Sequence, residues 1–322
     1  MRILIALDGS PSSIEARDLI AGLPLPPRTA IRLATAYEVP IDWSGGVGGG
    51  VGAGMPWVGD AENAMRDDLT EELRRLAEPL SGHAWQVDWH AVKGRPATAI
   101  INAANEFEAD LIAVGSRGRG PLASMLLGSV SAEIADHADC SVMVARGAHV
   151  SRLLVATDGS DNARSIPNVL GGWGVFQGLP AEALSVARPP ERTPELLADV
   201  YAGGAHRLTD DGKELLDRHR RFAEQLAEHL AEQHIPTTPT VTTGDAAHEI
   251  IDAARRRGAD LIVTGTRSLH GLERVVLGSV SRNVLLHAPC SVVVLRGINT
   301  TRRATDKRGH SADVSALESP AR

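Results

Sequence analysis

The sequence has few cysteines, aromatic residues and lysines. Its 322 residues include only two cysteines, Cys140 and Cys290, which are too few for a disulfide framework and favour a reducing compartment. Five tryptophans, two tyrosines and three phenylalanines predict a core built mainly from Val, Ile, Leu and Ala. Lysine occurs only at positions 93, 213 and 307, so arginine supplies nearly all of the positive charge.

The sequence also lacks a long apolar run and an excess of positive charge. No run approaches the roughly 20 residues that span a bilayer, and no cleavage site for a signal peptide follows the short apolar segment at 3–7. These absences predict a cytoplasmic protein without a membrane partner. The net charge of −7 argues against nucleic acid as the main partner, because phosphate backbones attract basic surfaces.

The most informative feature of the sequence is a direct internal repeat. Four segments of the first half return in the second half at an offset of 150 residues: 2–10 at 152–160, 109–115 at 259–265, 127–131 at 277–281 and 140–146 at 290–296. The unit is far longer than a solenoid repeat, so it is one domain present twice. We predict domains at 1–148 and 149–297, followed by a disordered tail at 298–322 that is poor in large apolar residues.

Each half alternates strand patterns with helix patterns. The first half predicts strands at 2–7, 31–37, 85–92, 110–114 and 141–145, and helices at 11–22, 60–79, 97–106 and 128–137. The second half follows the same order, with a long helix at 209–233. This alternation predicts an α/β fold of two tandem, doubly wound, five-stranded parallel sheets. The glycine-rich segment 44–59 is predicted to be a loop, either a linker or a lid with Trp57 over a ligand.

Two segments of each half follow predicted strands, and open parallel sheets bind ligands at the carboxyl ends of their strands. One segment is Asp8-Gly9-Ser10, repeated as Asp158-Gly159-Ser160. An aspartate there suits a sugar hydroxyl, an adenine amino group or Mg²⁺ rather than a phosphate.

The other segment, 115–131, has the chemistry of an anion site. Gly115 and Gly118 are predicted to adopt positive φ and to let the backbone approach a phosphate. Gly128 opens a helix, whose first N–H groups favour negative charge. Hydroxyl and guanidinium donors are added by Ser129, Ser131, Arg117 and Arg119.

Other nucleotide-binding motifs are absent from the sequence. Gly212-Lys213 is followed by Glu214 rather than by the Ser or Thr of a P-loop, and no strict G-x-G-x-x-G occurs. The pattern Gly115-x2-Gly118-x9-Gly128-Ser129 instead resembles the ATP-binding signature G-x2-G-x9-G-[S/T] of the universal stress protein family. The first strand that ends in Asp8 and the closing strand after Cys140 are similar to the same family, over residues 1–297.

The resemblance implies a strand order of 3-2-1-4-5 and ATP, with or without Mg²⁺, between strands 1 and 4. It implies that Asp8 and Ala36 hold adenosine in the first half, and Asp158 and Val186 in the second. Ribose and phosphates would then contact Val114, Gly115, Arg117, Gly118, Gly128, Ser129, Val130 and Ser131, and in the second half Thr264, Gly265, Arg267, Gly278, Ser279, Val280 and Ser281. Ser268 replaces the second motif glycine, which predicts a weaker second site.

The resemblance favours a non-catalytic, ATP-dependent regulator of stress adaptation. It implies an internal pseudo-dimer paired through the last strands, 141–145 and 291–295, and two chains could associate further as a homodimer. Two alternatives stay open: a slow ATP hydrolase in which Asp8 and Mg²⁺ assist water attack, and a protein-interaction scaffold whose second site is vestigial.

The cysteines and several histidines are predicted to have structural roles. Cys140 and Cys290 each begin an apolar strand, so buried and inert thiols are expected. His137 and His287 fall near a helix C-terminus, where they complement the dipole. A solvated helix face is expected for His219, His229 and His234.

Overall fold

The computed structural model describes residues 1–39, 56–118, 127–188, 210–266 and 277–296. The predicted tail at 298–322 and most of the predicted loop at 44–59 lie outside the described residues. So do Arg119, Arg267 and Ser268.

Strands and helices alternate in both halves, as the sequence predicts. In the first half they are β1 (Arg2–Ala6), α1 (Pro11–Gly22), β2 (Ala30–Tyr37), α2 (Pro56–Leu76), β3 (Gln86–Lys93), α3 (Pro96–Glu106), β4 (Leu111–Gly115), α4 (Ser129–His137) and β5 (Ser141–Ala145). In the second half they are β6 (Leu153–Thr157), α5 (Asp161–Trp173), β7 (Ala181–Ala187), α6 (Asp210–Glu232), β8 (Thr237–Thr243), α7 (Ala246–Arg257), β9 (Leu261–Gly265), α8 (Ser279–His287) and β10 (Ser291–Leu295).

Helix α2 differs at both ends from its predicted span of 60–79. It begins at Pro56, so Trp57 lies in its first turn rather than in a loop. Proline suits this position, because its fixed φ matches the helix and its missing N–H would have no helical partner. The helix ends at Leu76, before a 3₁₀ turn at Glu78–Leu80. Pro79 cannot donate a backbone hydrogen bond, which prevents α2 from continuing.

The two predicted five-stranded sheets are both present, and they join edge to edge into one sheet. Its strand order is β3-β2-β1-β4-β5-β10-β9-β6-β7-β8, so each half has the order 3-2-1-4-5. Pairing is parallel inside each half and antiparallel between β5 and β10, where Val144 lies opposite Val292. The predicted pairing of the halves through their last strands is therefore confirmed within the chain. The carboxyl ends of the strands consequently point to opposite edges of the sheet in the two halves.

The core consists of two layers, one on each face of the sheet. Ile3 and Ile5 of β1 pack with α1 and with Leu73 of α2 on one face. Leu4 faces the other side, where it packs with α3 and α4. Helices α5 and α6 in the second half belong to the first layer, and α7 and α8 to the second.

The crevice for a ligand lies between β1 and β4. These neighbouring strands pair in parallel, yet the chain leaves β1 toward α1 on one face and reaches α4 on the other face after β4. This reversal is the switch point at which open parallel sheets bind ligands.

Candidate functional site

The turn after β1 is ordered by the carboxylate of Asp8. Its Oδ1 accepts hydrogen bonds from Ser10 N at 3.0 Å and from Ser10 Oγ at 2.6 Å. Gly9 between them has φ +73°, a conformation that glycine adopts without strain. Ser10 then caps α1, since its Oγ accepts a hydrogen bond from Ser13 N at 3.2 Å. One carboxylate oxygen of Asp8 thus holds the turn, and the side chain is exposed at the edge of the sheet.

Gly118 lies directly opposite Asp8. A Cβ added at Gly118 would be 2.9 Å from Asp8 Oδ2, so only hydrogen atoms on the Gly118 Cα separate this backbone from the carboxylate. The main chain of Arg117 is also close, because its N–H donates to Ser12 Oγ at 3.1 Å. The structure therefore brings together the two segments that the sequence singles out in the first half.

Gly115 is required by packing rather than by its φ angle. A Cβ added there would lie 2.5 Å from the carbonyl carbon of Ser12 and 2.6 Å from Ser13 N, at the start of α1. Among the described residues, the glycines with positive φ include neither Gly115 nor Gly118, so the predicted positive φ at these two positions is wrong. The missing side chains allow β4 to approach α1 and Asp8 closely instead.

Helix α4 begins at the mouth of the same crevice. Gly128 is its N-cap and offers no side-chain acceptor, and the first helical hydrogen bond runs from Ala132 N to Gly128 O at 2.9 Å. The N–H groups of residues 129–131 precede that bond, so they have no partner within the helix. By contrast, serine side chains cap α1 and α5. The start of α4 therefore presents backbone donors and the positive end of a helix dipole to an anion.

The remaining predicted site residues of the first half are either buried beneath the helices or exposed to solvent. Val114 is buried and Ala36 partly buried in the layer beneath α3 and α4. Ser129, Val130 and Arg117 are exposed. The buried hydroxyl of Ser131 donates to Gly115 O at 2.6 Å, so it ties α4 to β4.

The second half repeats the turn and the uncapped helix. Asp158 Oδ1 accepts a hydrogen bond from Ser160 N at 3.0 Å, and Gly159 has φ +73°. Gly278 is the N-cap of α8 without a side-chain acceptor. The hydroxyl of Ser281 donates to Gly265 O at 2.7 Å, as Ser131 does in the first half. Ser279 begins α8, and Val186 and Val280 are partly buried beside the same core layer.

Helix α6 covers the second turn, and this feature has no counterpart in the sequence prediction. A Cβ added at Gly159 would collide with the ring of Phe222. One turn earlier on α6, His219 Nδ1 lies 2.8 Å from Ser185 Oγ, whose hydroxyl donates to Thr157 O at 3.0 Å. Aromatic groups from α6 therefore pack over the end of β6, where adenosine was expected.

The predicted solvated face is wrong for His219 but holds for His229 and His234. Burial lowers the pKa of His219, and the nearby charge of Arg218 lowers it further, so the neutral imidazole is favoured. His219 is thus part of a packed contact rather than of a solvated face, whereas His229 and His234 are exposed as expected. The signal was in the sequence: position 219 falls on the apolar stripe of α6 that continues through Phe222, Ala223 and Leu226.

The end of β9 is also more open than the end of β4. Among the described residues, the atom nearest to a Cβ at Gly265 would be the carbonyl carbon of Asn162, at 3.8 Å. Beside it, the buried hydroxyls of Thr264 and Thr266 have no hydrogen-bond partner among the described residues. The second site therefore keeps the helix N-terminus of the first but differs in its packing.

Cys290 is buried, as predicted, whereas Cys140 is only partly buried. Burial raises the pKa of Cys140 to about 12 and that of Cys290 to about 11, so both remain protonated near neutral pH. His137 and His287 each place Nδ1 3.0 Å from a carbonyl oxygen four residues earlier in the last turn of a helix.

Among the described residues, no group of three or more His, Cys, Asp and Glu side chains is placed to hold a metal ion. No described helix is long and apolar enough to cross a membrane.

Comparison with known proteins matches both halves to one family. The family model of the universal stress proteins matches residues 1–146 and 149–296. Universal stress protein YxiE of Bacillus subtilis is 29% identical over 146 residues, which cover 45% of this chain and 99% of that protein. Universal stress protein Mb2028c of Mycobacterium bovis is 29% identical over 207 residues, or 62% of this chain and 66% of that protein. The crystal structure of a universal stress protein from Archaeoglobus fulgidus aligns with a TM-score of 0.58 and 19% identity, over 92% of this chain and 98% of that one.

Proposed function

Because the chain belongs to the universal stress protein family, we propose that it is a cytoplasmic regulator that binds ATP at the switch point of each half. The observation that carries the proposal is the uncapped start of α4 at Gly128, which shares one crevice with Gly118 and Asp8. We assign the two nucleotide-binding domains to 1–148 and 149–297.

Charge and space divide the first site into two ends. The N–H groups at the start of α4, together with Arg117, suit the phosphates, since the Cα of Arg117 would lie 3.5 Å from a Cβ at Gly128. Asp8 keeps Oδ2 on the side of Gly118 while Oδ1 holds the turn, so it suits a hydroxyl or amino donor of the nucleoside. Among the residues that the structure describes, Asp8 belongs to no group of carboxylates placed to hold a metal ion, so any Mg²⁺ would arrive with the phosphates.

The regulatory role follows from mass action. A ligand that binds only the folded chain stabilises it by about 2.7 kcal/mol at a concentration 100 times its Kd. Such a ligand also shifts the chain toward whichever conformation binds it better. ATP would therefore favour one conformation of the chain, and this conformation would make different contacts with a protein partner. A second copy of the chain is one such partner, which would give a homodimer.

A melting experiment tests the proposal. Millimolar ATP is expected to raise the Tm of the protein by about 5–11 °C, from the stabilisation above and a shift of about 2–4 °C per kcal/mol. Asp8→Asn keeps an oxygen for Ser10 N but removes the charge, and it should reduce the rise. The matched control is Asp110→Asn. Asp110 Oδ2 also accepts a hydrogen bond from a backbone N–H, that of Arg2 at 2.8 Å, but it lies at the opposite ends of the strands. An unchanged Tm of the unmodified protein with ATP would contradict the proposal.

The two sites are proposed to differ in strength. Phe222 and His219 pack over the second turn, so a nucleoside there must displace part of α6. Calorimetric titration should therefore give one tight nucleotide per chain and a second, weaker one. Asp8→Asn should remove the tight phase and Asp158→Asn the weak phase. Two equal phases would refute this inequality without touching ATP binding itself.

A further inference from the structure

Two arginines cross between the halves at the junction of β5 and β10. Arg146 directly follows β5, and Arg296 directly follows β10. Because these strands are antiparallel, each arginine lies beside the first residue of the other half's last strand. Arg146 N donates to Ser291 Oγ at 3.0 Å, and Arg296 N donates to Ser141 Oγ at 3.1 Å. The main chain of each arginine is therefore held by the opposite half.

Each guanidinium group then binds the C-terminus of a helix in the opposite half. Arg296 Nη2 donates to Ala135 O at 2.6 Å and to Asp136 O at 3.3 Å, both in the last turn of α4. Arg146 Nη2 donates to Leu285 O in the last turn of α8. Carbonyl groups in a last turn have no helical partner, and a cation there complements the negative end of the dipole. The two contacts are reciprocal, as expected of a repeat.

The burial of these arginines is costly. Arg296 is only 4% exposed, and its Nε and Nη1 have no hydrogen-bond partner in the described part of the chain. Burial lowers the pKa of both guanidinium groups, which reflects the cost of removing a cation from water. Well-packed apolar side chains often stabilise such a position as well or better. Stability alone therefore gives little reason for a buried Arg296 and a partly buried Arg146 at this junction.

The helices that these arginines bind are the ones that begin the proposed phosphate sites. Helix α4 is tied to β4 at its start through Ser131 Oγ and Gly115 O, and to Arg296 at its end. We propose that Arg296 positions α4 for the phosphate of the first site and that Arg146 positions α8 for the second, so that each half completes the other's site. The link to phosphate rests on the proposed function; the positioning of the helices does not.

Hydrogen exchange of the intact chain tests the positioning without any ligand. Arg296→Met should accelerate amide exchange about two- to fivefold in the last turn of α4 while leaving α8 unchanged, from the usual strength of a charge at a helix end. Arg146→Met should do the reverse. Arg296→Lys retains a cation and should recover part of the protection. The control is Arg164→Met, which removes an exposed arginine of α5.

The pattern of exchange decides the outcome. Acceleration spread evenly over both halves, or none in α4, would overturn the inference. If Arg296→Met folds too poorly to measure, the comparison of Arg296→Lys with the unmodified chain decides between the same outcomes, with a smaller expected change.

ATP affinity tests the link to the phosphate. In an Asp158→Asn background, which isolates the first site, Arg296→Met should weaken ATP binding about two- to fivefold, and Arg296→Lys should do so less. Arg296 is the better residue for this test, because the charge of Arg117 reaches Arg146 directly. Unchanged affinity with accelerated exchange in α4 would overturn the link to the phosphate. No ATP binding by the unmodified chain would refute the proposed function, and the exchange result would still decide the positioning.

Discussion

Replacing Gly115 with alanine is expected to destabilise the protein strongly, whereas the same change at its repeat, Gly265, is expected to be nearly harmless. A Cβ at Gly115 would lie 2.5–2.6 Å from backbone atoms of Ser12 and Ser13, about 1 Å inside the usual contact distance of 3.5–4.0 Å. These are main-chain atoms at the start of α1, so no side chain can rotate away. At Gly265 the nearest atom of the described residues would be at 3.8 Å, an ordinary contact.

The magnitude follows from the cost of overpacking. Forcing a methyl group into a filled site costs about 1–3 kcal/mol, and the backbone contact places Gly115→Ala at the upper end. In Gly265→Ala, alanine restricts the unfolded chain and is favoured over glycine within a strand by about 0.5–1 kcal/mol. We therefore expect the two variants to differ by about 3.5–4 kcal/mol in the free energy of unfolding.

Urea unfolding of the two variants beside the unmodified chain measures this difference. Both variants replace one glycine by alanine at the last residue of the fourth strand of a half, so each is the control for the other. At about 2–4 °C per kcal/mol, their melting temperatures should also differ by about 7–16 °C. If both variants lose the same stability, or if Gly265→Ala loses more, then the close approach of β4 to α1 is not what requires glycine at position 115.

Two further predictions come from titratable groups. The pKa of His219 in the folded chain lies below its ordinary value, so the unfolded chain binds the proton more readily. The neutral imidazole therefore contributes its full stabilisation above about pH 6.5, and this contribution is lost as the pH falls below that value. His219→Gln should reduce the loss of stability between pH 7.5 and 5.5 in urea unfolding, while His229→Gln, at an exposed position, should leave it unchanged. With pKa values of about 12 and about 11, Cys140 and Cys290 should resist iodoacetamide at pH 8 until the chain is unfolded; rapid labelling of the native protein, followed by mass spectrometry, would contradict this.

The repeat and the alternating patterns were sufficient to predict most of the fold. Short apolar runs such as 2–7 can be predicted as strands because a parallel strand is buried on both faces. The start of α2 was missed because glycine-rich sequence precedes Pro56, and local composition outweighed the helix-starting signal of proline. The join between the sheets followed from the family resemblance rather than from any local pattern.

The candidate site was predicted less completely than the fold. Glycines at 115 and 118 were located correctly at the switch point, but the sequence could not distinguish a glycine that needs a positive φ from one that needs space. The packing of Phe222 on Gly159 depends on how α6 crosses β6 and β7, which is a tertiary contact between residues far apart in the sequence. The crossing arginines were invisible for the same reason, since Arg296 and Ala135 are 161 positions apart.

The antiparallel join of β5 and β10 has a consequence for synthesis on the ribosome. Strand β5 is the last strand of the first half, and in the complete sheet, where β10 pairs with its open side, all five of its residues are buried. About 150 residues separate the two strands, and at roughly 5–20 residues per second β10 emerges about 8–30 s after β5. During that interval the nascent first half presents an open apolar strand edge, which can pair with another chain. Two nascent chains that met in this state could exchange their second halves, giving a swapped dimer with the same strand pairing as the monomer.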